Sequence, residues 1–153
     1  MSTQLYGRLE AQVRALLDGE RDFVANAGNF AALIHAELPD VNWAGFYLAT
    51  PSGDLVLGPF SGRPACTRIP RGRGVCGTAA TKRETLVVND VDAFADHIAC
   101  DGASRSEIVV PILRDGELFA VFDVDSPKAA RFTGADRAGI ERLVAAFEEM
   151  RNP

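Results

Sequence analysis

The chain of 153 residues carries 21 acidic side chains against 16 Lys and Arg, a formal charge of −5, and is long enough to bury one core without disulfide staples. With 47% hydrophobic and 24% charged residues it has the composition of a globular protein, and its acidic balance argues against a general nucleic-acid binder. No apolar run approaches the roughly 18 residues that cross a bilayer, so no membrane partner is expected.

The first forty residues read as two helices. Leu5, Leu9, Val13, Leu16 and Leu17 make one apolar stripe, ended by Asp18-Gly19; Phe23, Ala27, Phe30, Ala31 and Ile34 make a second, ended near Pro39. Trp43 to Ala49 reads as a strand, Thr50-Pro-Ser-Gly-Asp54 as a turn, and Leu55 to Leu57 as the returning strand. The segment from Gly58 to Asp101 is rich in Gly and Pro, with a short helix expected over Val75 to Arg83 and a strand over Thr85 to Val88. Glu107 to Leu113 and Glu117 to Val124 form a hairpin across Arg114-Asp-Gly116. A final helix starts at a Thr133/Asp136 capping pair and buries Ile140, Leu143, Val144 and Phe147. Helices first and last with antiparallel hairpins between them give an α+β domain, one face of its sheet covered by helices and the other by the long crossover. A crossover of that length points to function.

Three cysteines lie between positions 66 and 100: Cys66, Cys76 and Cys100. The start Met1-Ser-Thr-Gln-Leu-Tyr6 lacks the basic and apolar regions of a signal peptide, so a reducing cytoplasm is expected, where cysteines serve chemistry or metals more often than structural disulfides. No acidic residue occurs from Leu55 to Arg83, while Arg63, Arg68, Arg71, Arg73, Lys82 and Arg83 do. That positive segment, with a helix N-terminus near Cys76, is expected to favour the Cys66 and Cys76 thiolates. Asp96 and Asp101 flank Cys100, so local charge gives it no such help. The plain alternative is three unreactive thiols, one or two of them core fillers. His97 and Cys100, with Cys66 and Cys76, add up to a Cys₃His zinc set, but the two close pairs usual in structural zinc sites are missing, and no metal is expected.

Strand alternation puts Asp123 and Asp125 on one face, together with Phe119 and Val121. Two carboxylates about 7 Å apart are costly if both are buried and ionised, so one is a candidate general acid, and Glu107 can reach the same place across the hairpin. Alternatively, Asp123 and Asp125 cap the strand end before Ser126-Pro127. Trp43, Gly45 and Tyr47 share a face of their strand and can wall a small-molecule pocket, or serve as ordinary sheet packing.

Taken in order, Trp43-Ala-Gly-Phe-Tyr-Leu48, Leu57-Gly-Pro-Phe60, Ala65-Cys66, Gly72-Arg-Gly-Val-Cys-Gly-Thr-Ala-Ala80, His97-Ile-Ala-Cys-Asp101, Ser106-Glu-Ile-Val-Val-Pro111 and Asp123-Val-Asp-Ser-Pro127 resemble the free methionine-(R)-sulfoxide reductase family, whose members are stand-alone GAF domains. The resemblance implies a single GAF domain over 1–153, with N-terminal helices at 1–40, sheet and active-site loops at 41–127 and a C-terminal helix at 133–151. Its central antiparallel sheet would carry helices on one face and a loop-covered pocket on the other. It implies Cys100 as the thiol that attacks the sulfoxide sulfur, Cys66 as the resolving cysteine and Cys76 as a third family cysteine. Glu107, Asp123 and Asp125 match the acidic pocket that receives the sulfoxide oxygen, and Trp43 with Tyr47 its aromatic wall. Free methionine sulfoxide is the implied substrate. No bound cofactor is implied, thioredoxin with NADPH is the external reductant, and a homodimer is the implied assembly. Where the family often has Pro-Gly before the His-Ile-Ala-Cys block, this chain has Ala95-Asp96. A GAF module that senses a small ligand without catalysis is the competing reading; the chain ends at Pro153 without an output domain, which favours the enzyme.

Overall fold

The computed structural model describes residues 2–95 and 103–151. Helices α1 (Ser2–Leu17) and α2 (Phe23–Glu37) lead into β1 (Trp43–Ala49), β2 (Leu55–Gly62) and the short β3 (Arg68–Ile69). Helix α3 (Gly74–Lys82), β4 (Leu86–Val88), a 3₁₀ turn at Val91–Ala93, the hairpin β5 (Ser106–Arg114) and β6 (Glu117–Ser126), and α4 (Gly134–Met150) complete the order. The strands form one antiparallel six-stranded sheet in the order β3-β2-β1-β6-β5-β4. No described helix is long and apolar enough to cross a membrane.

Local chemistry accounts for most boundaries. Asp22 caps α2 by accepting from the Ala25 amide, and Thr133 and Asp136 form the expected reciprocal capping box on α4. Asp115 and Gly116 both sit at positive φ, 53° and 78°, the backbone a tight two-residue hairpin needs between β5 and β6. The strand expected over Leu55–Leu57 runs on to Gly62, because Ser61 and Gly62 still pair with Ala44 and Trp43. The expected α1 stripe shifts slightly. Tyr6, Leu9, Val13 and Leu17 are buried, while Leu16, in the last turn of the helix, stays 45% exposed.

The sheet separates two cores. Against α1, α2 and α4 it presents Ala44 and Phe46 of β1, Ile108, Val110 and Ile112 of β5, and Ala120, Phe122 and Val124 of β6. Its other face presents Trp43, Tyr47, Val109 and Val121, packed with Leu55, Ile69 and the α3 residues Val75, Cys76, Ala79 and Ala80. The expectation that Phe119 shares the face of Asp123 and Asp125 is incorrect. Ile112 pairs with Ala120 but Leu113 with Leu118, so Phe119 is the extra residue of a bulge. The bulge turns its ring to the helix side, 5.3 Å from Phe23 and under the Arg114 guanidinium.

Candidate active site

Strand register builds the site. Trp43 lies opposite Asp125, which lies opposite Glu107, giving one row across β1, β6 and β5. One step along, Gly45, Asp123 and Val109 form the next row on the same face. All three expected carboxyl groups therefore converge away from the three long helices. Asp123 is 5% and Glu107 8% exposed, and both lie within the sheet. Helix α3 closes over this face and sets the Cys76 Sγ 3.9 Å from Glu107 Oε2.

So many acids in a dry place cannot all ionise. Burial first, then the charges of Asp125 and Glu107, push the Asp123 carboxyl well above the usual carboxylate range. Its hydrogen bonds with Glu107 and Asp125 add to the effect, because a carboxyl shared between carboxylates keeps its proton. Asp123 Oδ1 is nonetheless buried without a partner.

The same surroundings overturn the expectation of an activated Cys76. Sequence places it in a basic segment, yet the fold turns it inward, where burial and then Asp123, Glu107 and Asp125 raise its thiol well above the usual value. Those carboxyl groups come from strands remote in sequence, and the local count of arginines contains no sign of them. Cys66 is half-buried and disulfide-bonded, while Cys76 is a free thiol. Cys100 and His97 both lie outside the described residues.

The aromatic wall does two jobs. The Trp43 ring stacks between Tyr47 (centroids 6.0 Å apart, planes at 25°) and Phe60 (5.4 Å, 16°). Gly45 makes the stack possible, for a Cβ there would come within 2.3 Å of Phe60 Cβ and 2.7 Å of Trp43 Cη2. The polar tips of both rings hold the cysteine loop: Trp43 Nε1 donates to Arg63 O at 3.1 Å, and Tyr47 OH to Cys66 O at 2.8 Å. Burial, then Asp123, Cys76, Asp125 and Glu107, raise the Tyr47 hydroxyl far above its ordinary value, so it stays a donor. Sequence reasoning named Trp43 and Tyr47 but gave Phe60 no part in the wall. The glycine two residues after Trp43 was the available signal, since it marks a place where a large ring lies flat on the backbone.

Comparison with known proteins places the chain in a family. The GAF domain family matches residues 14–148. A free methionine-R-sulfoxide reductase of Escherichia coli is 47% identical over 148 residues, 97% of this chain and 89% of that protein. One of Saccharomyces cerevisiae is 43% identical, covering 92% of this chain and 82% of that protein. The X-ray structure of a Neisseria meningitidis free methionine-R-sulfoxide reductase in complex with its substrate superimposes with a TM-score of 0.91 at 46% identity, over 95% of this chain and 87% of that one. The chain belongs to the GAF domain family and, within it, to the free methionine-R-sulfoxide reductases.

Proposed function

We propose that this protein reduces free L-methionine-(R)-sulfoxide to L-methionine by a thiol cycle. The observation that carries the reading is the buried Asp123 carboxyl, grouped with Glu107 and Asp125 on the face that bears Trp43 and Tyr47 and pushed by burial and those neighbours well above the usual carboxylate range. A sulfoxide sulfur is a poor electrophile until its oxygen takes a proton, and a neutral carboxyl in a dry pocket is suited to give one. The aromatic wall supplies an apolar surface for the S-methyl end of the substrate.

In the proposed cycle the Cys100 thiolate attacks the sulfoxide sulfur as its oxygen is protonated from Asp123. The oxygen leaves the substrate for the cysteine, giving methionine and a Cys100 sulfenic acid. The Cys66 thiol condenses with the sulfenic acid, forming a disulfide and releasing water. Two electrons from an external dithiol reopen it by exchange, with thioredoxin, recharged by NADPH, as the expected donor. The disulfide at Cys66 beside a free Cys76 supports Cys66 as the resolving thiol. The bonds from Tyr47 and Trp43 to its loop give it a fixed place from which to act.

The test is NADPH consumption with thioredoxin and its reductase, offering the free R sulfoxide, the free S sulfoxide and a blocked methionine sulfoxide separately. Turnover of the free R epimer alone is expected, lost in Cys100→Ser. Absence of turnover with every sulfoxide would leave the ligand-sensing reading in its place.

A further inference from the structure

We propose that Cys76, Glu107 and Asp123 form a binding site for a soft divalent cation, with zinc the fitting ion, where α3 packs on the sheet. One sulfur and two carboxylate oxygens, contributed by α3, β5 and β6, all lie within 4.8 Å of one another. A zinc ion bonded to sulfur at about 2.3 Å and to oxygen at about 2.0 Å would hold those two atoms about 3.5 Å apart. Cys76 Sγ and Glu107 Oε2 stand at 3.9 Å, so a small side-chain rotation closes the difference. All three residues are less than a tenth exposed. The unpartnered Asp123 Oδ1 points independently to a missing neighbour, since buried acceptors are nearly always satisfied.

Charge decides between protons and metal. A thiol and two carboxyl groups this close must be neutralised, either by holding protons or by a dication that replaces them. A thiolate in the donor set selects zinc or cadmium over magnesium or calcium. Three protein ligands leave a fourth position for water or another ligand. Since the ligands must lose protons to bind, affinity rises with pH. This set shares only Cys76 with the Cys66, Cys76, His97 and Cys100 combination in the sequence, and Cys66 is in a disulfide. An occupied site has no proton to give the sulfoxide, so the ion inhibits; that consequence rests on the proposed function, while binding does not.

The probe is cobalt(II), added to chelator-treated protein kept in the oxidised form, where Cys76 is the free thiol. One equivalent is expected to produce a thiolate-to-cobalt charge-transfer band that zinc abolishes. Cys76→Ser should remove the band, and Asp123→Asn, which keeps the thiol, should raise the cobalt dissociation constant by at least about tenfold. No band with the parent protein, a band surviving in Cys76→Ser, or an unchanged constant in Asp123→Asn would each overturn the site. In a separate arm, zinc should inhibit sulfoxide turnover competitively and reversibly by chelation. Turnover absent from the outset would count against the proposed function and leave the cobalt result standing.

Discussion

The two faces of the sheet are made from the same strands, yet one is lined mainly by apolar groups and the other holds a charge problem. Toward the helices, Phe30, Phe46, Phe122 and Phe147 interlock with ring centroids 4.9–6.0 Å apart. One residue further along β6, on the other face, Asp123 sits among Asp125, Glu107 and Cys76. The helix side is where burial stabilises the fold. The α3 side bears the desolvation of the carboxyl groups, a cost borne by sites that perturb their acids for chemistry. Strand alternation lets a single segment, Val121 to Asp125, serve both faces.

The substitution expected to separate them most sharply is Asp123→Asn, which should lower turnover by about 10²- to 10⁴-fold, the usual worth of a positioned general acid. Its pH behaviour follows from the raised carboxyl. The folded state holds this proton more tightly than the unfolded chain, so the stability it lends is complete below the ordinary carboxylate range. That stability is lost as pH rises through the raised folded value. Thermal melts across pH should therefore show the asparagine variant gaining on the parent toward alkaline pH, over the window where parental turnover declines. Equal melting curves at every pH would mean that Asp123 is not held protonated.

On the opposite face, Phe122→Ala should destabilise the protein by about 3–5 kcal/mol in denaturant unfolding. Turnover per folded molecule should stay within a few-fold of the parent; a far larger loss in protein shown to be folded would break the division between the faces. Gly45→Ala should act in the other direction, forcing Trp43 and Phe60 apart. An effect of about tenfold on kcat/KM, mostly through KM, is expected from a displaced wall. The smallest effect belongs to Tyr47→Phe, which removes the hydroxyl bond to Cys66 O. Loss of about 1 kcal/mol of loop anchoring should slow disulfide formation about fivefold, read by stopping single turnovers and counting free thiols.

Much of this molecule is legible in its sequence, for reasons that differ from element to element. The capping pair Thr133/Asp136, the Asp115-Gly116 turn and the alternation around Trp43–Tyr47 act over a few residues, so chain order states them. The pairing of Asp123 and Asp125 on one face follows from a period of two, and the family resemblance rests on motifs that survive as strings. Phe119 was misplaced because one bulge residue shifts every face assignment beyond it, and a bulge has no local signature here. Cys76 was misread because thiol acidity depends on the total field and on water, which sequence neighbours do not determine. Only the crossing of α3 over β5 and β6 decided that a cysteine from an arginine-rich segment would spend its life among acids.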